Sequence, residues 1–297
     1  MSRKLTRQEK ALIRTKNKLS SPWASAISIV IALVWTVPTL GLLVTSFRDD
    51  RMAISRSGWW ETLLPSNWHQ FGLGNYESVL GGNYNLGAYF VNSFVITIPG
   101  VLIPITLALL AAYAFAWVDF RGRHVLFIAV FSMQVVPIQV TMIPLLTQYV
   151  NWGLNSTFWV LWLSHTIFGL PQAIFLLHNF MQDIPRELVE AAKVDGAGHV
   201  KIFLKVVLPL MVPAIASFAI FQFLWVWNDL LVALAFAGNT PATAPLTSRL
   251  SDMVGSRGSA WYLLAPGAFI AMIVPVAVFL FLQRYFVRGM LAGAVKG

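Results

Sequence analysis

Cysteine is absent from the 297-residue sequence, and charged residues make up only 11% of it. The absence of cysteine excludes disulfide bonds, thiolate metal sites and cysteine nucleophiles. Soluble domains carry about 25% charged residues, so the low fraction indicates a chain that lies largely in a membrane. A Gly-x4-Gly-Lys-Ser/Thr phosphate-binding loop is also missing from the sequence. Any function driven by nucleotide hydrolysis would therefore need a separate subunit.

Long runs without charge divide the chain into membrane-spanning segments. About 20 apolar residues cross the hydrocarbon core as a helix, and these runs are too long for the strands of a barrel. The sequence therefore predicts an all-α polytopic membrane protein with one domain of six transmembrane helices. The first is interpreted as a retained helix, because it is longer than the core of a signal peptide. The predicted spans are 23–47, 88–118, 124–149, 157–178, 206–237 and 265–283.

The distribution of lysine and arginine predicts the orientation of the chain. A basic tail covers residues 1–22, and a C-terminal tail covers residues 288–297. If both tails are cytoplasmic, the inner segments contain 16 of the 21 lysines and arginines and the outer loops contain 5. Cytoplasmic loops are enriched in these residues, so both termini and the loop 184–205 are predicted to be cytoplasmic. The net charge of +9 then reflects topology and anionic lipid rather than nucleic acid.

The loop 184–205 is unusually rich in charged and small residues for so apolar a chain. Pro185 favours a first helical turn, which predicts a short helix over 186–195 that Gly196 and Gly198 terminate. An elbow lying on the bilayer is one interpretation, but such a helix needs bulky apolar residues opposite a basic face. The alanines and the balanced charges of this loop favour contact with another protein.

The spacing within this loop resembles the EAA loop of ABC-importer permeases. The family pattern is Glu-Ala-Ala, three residues, Gly, nine residues, Ile, one residue and Leu-Pro, and Val206 stands here in place of Ile. The matching residues are Glu190, Ala191, Ala192, Gly196, Leu208 and Pro209. The segments IPRELVEAA, WND and GAVKG resemble carbohydrate permeases, in particular the smaller permease of the maltose transporter.

The resemblance implies a type I ABC importer permease fold in which the loop forms a coupling helix that docks on a cytoplasmic ATPase. Leu208 and Pro209 would form the exit of the coupling loop. The C-terminal residues would make a second ATPase contact, and a frayed end is the alternative. The docking residues are then Leu188, Glu190, Ala191, Ala192, Asp195 and Gly196, and those of the second contact are Gly293, Ala294, Val295, Lys296 and Gly297.

The same resemblance implies a function and a set of partners. The chain would be a non-enzymatic permease subunit in the plasma (inner) membrane of a prokaryote, importing a di- or oligosaccharide such as maltose or another α-glucoside. Its partners would be a second permease in a hetero-dimer, two copies of the ATPase, an external sugar-binding protein and membrane lipid. ATP and Mg would lie on the ATPase, and this chain would bind no cofactor and no nucleic acid.

Two alternatives to a sugar importer are a permease for another solute, such as glycerol-3-phosphate, and a stand-alone secondary transporter. A secondary transporter would require intramembrane ion-binding groups or an inverted repeat, and neither is evident in the sequence.

Asp229 is the only carboxylate within a predicted span. An intramembrane acid is a functional candidate, so Asp229 could bind sugar hydroxyls, carry a proton or brace a break in its helix. The neighbouring aromatic and amide side chains suit a sugar path, although packing between helices also explains them. His165 and His178 have no carboxylate or third histidine near them in sequence, so no metal site is predicted. The candidate residues of a translocation path or gate are Gln222, Trp225, Asn228 and Asp229.

Overall fold

The computed structural model describes residues 22–81, 84–238, 240–254 and 261–294. Within these residues every regular element is a helix, and an isolated β-bridge joins Arg48 with Phe71. The predicted all-α class is confirmed. Most of the basic tail, residues 1–21, and the terminal residues 295–297 lie outside the described residues.

The α-helices of the described residues are α1 (Pro22–Ser46), α2 (Arg51–Arg56), α3 (Gly74–Leu80), α4 (Leu86–Trp117), α5 (Arg123–Ser132), α6 (Ile138–Asn151), α7 (Phe158–Gln182), α8 (Arg186–Val194), α9 (His199–Ile202), α10 (Leu208–Trp227), α11 (Leu231–Phe236), α12 (Leu246–Val254) and α13 (Leu264–Ala294). Short 3-10 helices cover Trp59–Leu63, Pro65–Gln70, Met133–Val135 and Trp261–Leu263, and a π-helical turn covers Phe203–Val207.

Five helical runs in the described part are long and apolar enough to cross a membrane. They are Pro22–Ser46, Leu86–Trp117, Phe158–Gln182, His199–Trp227 and Leu264–Gln283. A sixth span arises if α5, with its 3-10 turn, and α6 are counted together, although they meet at a bend of 100°.

The segment predicted as a span over 124–149 is bent in the structure. Val136 is extended (φ −74°, ψ 118°), and Pro137 follows it as the N-cap of α6. A residue that precedes proline avoids the α conformation, because the proline ring clashes with its backbone. The helix consequently stops at this dipeptide and restarts in a new direction.

The helix predicted over 206–237 is also divided. α10 ends at Trp227, and α11 begins at Leu231 after a break of three residues. The functional site includes this break, and its hydrogen bonds are described below.

Two compact units make up the chain. The first extends to Glu77 and includes Tyr262–Pro266, and the second comprises Ser78–Trp261 with Gly267–Gly297. The first unit contains α1 and the folded segment 48–77, which lies between the predicted spans 23–47 and 88–118.

A buried arginine organises the segment 48–77. Arg48 is 1% exposed, and its Nε and Nη2 donate to Gln70 Oε1 at 3.1 and 2.9 Å. Its Nη2 also donates to Ser57 Oγ at 2.6 Å. Asp49 accepts the N–H groups of Gly74 and Asn75, both at 3.0 Å, at the start of α3. Satisfied polar groups of this kind allow a charged residue to be buried.

The core of the second unit lies between α4, α7 and α10. Ala108, Ala112 and Ala173 are fully buried where these helices meet. Small residues let membrane helices approach closely. Close packing drives their association, because helices surrounded by lipid gain no hydrophobic free energy when they associate. Leu177 and Met211 fill the space beside them. This core holds the helices that carry the functional site.

Candidate functional site

The coupling loop, residues 184–205, is fixed by a few buried apolar side chains. Val189 of α8 is 1% exposed, and Ile184 and Ile202 are 8% and 1% exposed in the same core. Apart from Ala192, the other residues of α8 are exposed, and Val194 is 87% exposed. Of the predicted docking residues, Ala192 is half-buried and the exposed ones are Leu188, Glu190, Ala191, Asp195 and Gly196. Five of the six predicted docking residues are thus accessible to a partner, and Ala192 packs partly on the core.

A Schellman motif ends α8. Gly196 has a φ of +77°, its N–H donates to Lys193 O at 3.0 Å, and the N–H of Ala197 donates to Ala192 O at 2.9 Å. Ala192 and Ala197 both pack on the core beneath. A left-handed residue is needed at this place, and glycine adopts that conformation without a steric penalty. The backbone conformation therefore explains the glycine at position 196, because it turns the chain sharply at the end of α8.

A π-helical turn joins the coupling loop to α10. Leu208 donates its N–H to Phe203 O, five residues earlier, directly before Pro209, which has no N–H. π turns are rare and occur frequently at functional sites. The predicted exit residues Leu208 and Pro209 thus lie where the helical register changes. Tyr113 of α4 also binds the loop, since its hydroxyl lies 3.1 Å from His199 Nδ1 and 3.3 Å from His199 O.

Asp229 lies in the break between α10 and α11, and its side chain is 8% exposed. Its carboxylate accepts the N–H groups of Val232 at 3.3 Å and Ala233 at 3.0 Å. Its own carbonyl accepts a 2.6 Å hydrogen bond from Thr247 Oγ1. Asn228 donates from Nδ2 to Leu224 O at 2.7 Å. The acid therefore satisfies the first N–H groups of a helix that restarts inside the protein.

His165 of α7 lies beside this carboxylate. Its Nε2 is 3.9 Å from Asp229 Oδ2, and the ring is 1% exposed and stacks on Trp225 at 5.1 Å between centroids. That separation is too long for a direct hydrogen bond. Neither ring nitrogen has a hydrogen-bond partner among the residues that the structure describes. Within the described residues no group of three His, Asp or Glu side chains could hold a metal ion.

A cavity of about 720 Å³ opens between the bent pair α5–α6, the middle of α7, and α10. Its polar wall residues are Gln134, Thr141, Gln148, Gln172 and Gln222, and its aromatic ones are Phe168, Phe221 and Trp225. The lining contains no Asp, Glu, Lys, Arg or His from the described residues. Cavities of 300–1,000 Å³ are typical of small-molecule sites.

The cavity contains two of the four residues predicted for a translocation path. Gln222 and Trp225 line it, whereas Asn228 and Asp229 belong to the helix break and do not. The sequence prediction did not include the other wall glutamines, Gln134, Gln148 and Gln172, because they are uncharged and distant from Asp229 in the sequence. Uncharged amides within spans, close to prolines, were the signal that could have identified them.

The predicted C-terminal contact is only partly described. Gly293 and Ala294 form the end of α13, and Val295, Lys296 and Gly297 lie outside the described residues.

Comparison with known families accounts for this combination of apolar helices and an exposed loop. The family described as "Binding-protein-dependent transport system inner membrane component" matches residues 104–292, which include the coupling loop, the helix break and the cavity wall of α6, α7 and α10. The chain belongs to this family. The permease is accordingly a multi-pass membrane subunit of a transport system, and the predicted family is confirmed.

Two relatives show how far the similarity extends. The permease is 54% identical over 273 residues to the osmoprotective compounds uptake permease of Synechocystis sp., covering 90% of each chain. It is 38% identical to the α-glucoside transport system permease of Rhizobium meliloti, covering 93% of this chain and 97% of the relative.

A solved structure supports the fold. The bacterial ABC transporter that imports the acidic polysaccharide alginate contains a chain that superposes with a TM-score of 0.65 at 14% identity, covering 93% of the permease and 99% of that chain. The ABC importer permease fold predicted from the coupling loop is therefore confirmed.

Proposed function

We propose that the permease is one of two membrane-spanning subunits of an ATP-driven importer that moves a neutral sugar, of the α-glucoside class, into the cytoplasm. The relatives with high coverage transport α-glucosides or osmoprotective compounds by their descriptions, which supports a small polyhydroxylated solute. A phosphate-bearing solute such as glycerol-3-phosphate is disfavoured, because no cationic side chain from the described residues lines the cavity.

The observation that carries the proposal is the exposed end of α8. Glu190 and Ala191 of α8, and Asp195 directly after it, are exposed, and buried Val189 anchors the helix on its other side. Small residues allow a partner surface to approach closely, and the carboxylate of Glu190 can pair with a basic group on that surface. We therefore assign this surface to a cytoplasmic ATPase, present in two copies, that holds ATP and Mg.

The remaining parts of the assembly follow from the same proposal. Both termini and the coupling loop lie in the cytoplasm, a second permease completes the membrane domain as a hetero-dimer, and an external binding protein delivers the sugar. The excess of Lys and Arg in the segments assigned to the inner side supports this orientation. The permease itself then binds neither nucleotide nor metal.

Reconstitution of the complete importer in proteoliposomes tests the proposal, with radiolabelled maltose, trehalose and sucrose as probes. We expect ATP-dependent accumulation of at least one of these sugars. Glu190→Lys should reduce uptake more than about tenfold while sugar binding to the external protein is unchanged, because reversing a charge in a buried contact costs several kcal/mol.

Asp119→Lys is the matched control. Asp119 has the same charge, is predicted on the same side of the membrane and lies outside the coupling loop, and its exposed ion pair with Arg123 contributes little. Uptake by Glu190→Lys at the control's rate would refute the docking assignment. Uptake in the absence of any ATPase subunit would identify a stand-alone transporter instead.

A further inference from the structure

Prolines inside the membrane helices free backbone carbonyls, and neighbouring helices satisfy several of them. A proline in a helix has no N–H for the carbonyl four residues before it. Pro99 of α4 thus frees the carbonyl of Val95, which accepts a 2.9 Å hydrogen bond from Trp162 Nε1 of α7. In a membrane, a side chain of this kind replaces the water that would otherwise solvate the carbonyl.

The same arrangement recurs at two more prolines, Pro104 of α4 and Pro275 of α13. The carbonyls that they free and their donors are Gly100 O with Gln222 Nε2 at 3.0 Å, and Ala271 O with Trp227 Nε1 at 3.1 Å. Three separate helix pairs are therefore joined by the same device. Gly169 permits one of them, because a Cβ at that position would lie 2.8 Å from the amide of Gln222.

Pro171 of α7 differs from these three prolines. It frees the carbonyl of Ile167, and no side chain in the described part of the chain donates a hydrogen bond to that carbonyl. Both residues belong to the wall of the 720 Å³ cavity, whereas Pro99, Pro104 and Pro275 do not. The residue that carries the freed carbonyl is thus part of the cavity wall.

The chemistry of the surrounding wall defines what such an acceptor can bind. Amide side chains supply both donors and acceptors, and aromatic faces pack against the C–H faces of a sugar ring. No charged group from the described residues would hold an ion here. A backbone carbonyl with no side-chain donor can accept a hydrogen bond from a neutral hydroxyl.

We propose that the Ile167 carbonyl, freed by Pro171, is a hydroxyl acceptor for a neutral polyhydroxylated solute held in the cavity of this chain. The nearby amide of Gln172 would bind the same solute. This inference rests on the proposed function, since it assumes that the solute passes through the permease, and it adds that this subunit itself holds the solute.

The test restores the missing donor. Pro171→Ala gives position 171 an N–H that hydrogen-bonds to the Ile167 carbonyl within the helix and removes it from the solute. Pro99→Ala is the matched control, because it makes the same change at a carbonyl that Trp162 already occupies. The measurement is sugar taken up per ATP hydrolysed by the reconstituted complete importer, with its saturated binding protein and the maltose, trehalose and sucrose probes.

We expect Pro171→Ala to lower this ratio about two- to tenfold, the effect of one hydrogen bond between neutral groups. Stimulation of ATPase activity by the loaded binding protein should stay at the wild-type level in both variants, and Pro99→Ala should keep the wild-type ratio. Deoxy analogues of the transported sugar identify the hydroxyl that binds the Ile167 carbonyl. The analogue that lacks this hydroxyl should give the same ratio of sugar to ATP in the wild type and in Pro171→Ala.

Three outcomes contradict the inference in distinct ways. Equal losses in the two proline variants, or the same loss with every deoxy analogue, would show that helix shape rather than the acceptor matters. A wild-type ratio of sugar to ATP in Pro171→Ala would show that the solute does not bind the Ile167 carbonyl. Failure of the wild-type importer to take up any sugar would overturn the proposed function, and the inference with it.

Discussion

At the scale of single residues, Asp229 is an acid that caps a helix from within the break between α10 and α11. Its carboxylate accepts two N–H groups at the start of α11, and Thr247 holds its backbone from α12. A helix that restarts away from water needs such an acceptor, because its first N–H groups have no partners within the helix. This geometry favours bracing over sugar binding or proton transfer.

Replacement of Asp229 separates these roles. Asp229→Ala should destabilise the purified complex by about 1–2 kcal/mol, as the loss of a helix cap does, and thermal unfolding in detergent measures the change. Asp229→Asn keeps an acceptor oxygen and should retain most of the stability and the uptake. A stable Asp229→Asn protein without uptake would instead assign the charge a role in transport.

At the scale of elements, the two glycines of the coupling loop have different conformations. Gly196 is left-handed at φ +77°, whereas Gly198 is the N-cap of α9 at φ −72°. Neither position would bring an added Cβ within 4 Å of another atom. Backbone conformation alone therefore distinguishes them.

The same substitution at both positions tests this difference. Gly196→Ser should strain the Schellman motif by about 1–2 kcal/mol, because side chains disfavour the left-handed region. The amides of residues 196 and 197 should then exchange hydrogen about 5- to 30-fold faster. Gly198→Ser places a preferred N-cap residue and should leave that exchange unchanged. Equal exchange in both variants would refute the role assigned to Gly196.

The sequence predicted the elements that local signals define. Pro185 and Gly196 bracket α8, so its predicted range of 186–195 differs from Arg186–Val194 by one residue. The bend at Pro137 was missed, because the uncharged run around it satisfies a hydropathy pattern whether the helix is straight or broken. The cavity was only half predicted, since its walls come from helices that are distant in sequence and meet only after packing.

At the scale of the whole molecule, the lack of cysteine makes the orientation directly measurable. Any single cysteine introduced into the 297 residues is a unique label. Ser66 is exposed in the segment 48–77, and the side chain of Asp119 is 99% exposed in the turn between α4 and α5. The positive-inside rule assigns these two positions to opposite sides.

Labelling of intact cells with a membrane-impermeant maleimide checks that assignment. Ser66→Cys should react from outside, and Asp119→Cys should react only after the membrane is permeabilised. The cysteine-free parent chain is the control for background. The reverse pattern would invert the topology and place the coupling loop out of reach of a cytoplasmic ATPase.

The hydrogen bonds to proline-freed carbonyls also restrict how this chain can change in length over evolution. One inserted residue advances a helix by about 1.5 Å and rotates it by about 100°, which would move the carbonyls of Val95 and Gly100 away from Trp162 and Gln222. Insertions and deletions should therefore accumulate between the helices and be purged within α4, α7 and α10. The two indole donors and the amide donor thus fix the register of the helices, and sequences that descend from this one should keep the same helix lengths between these contacts.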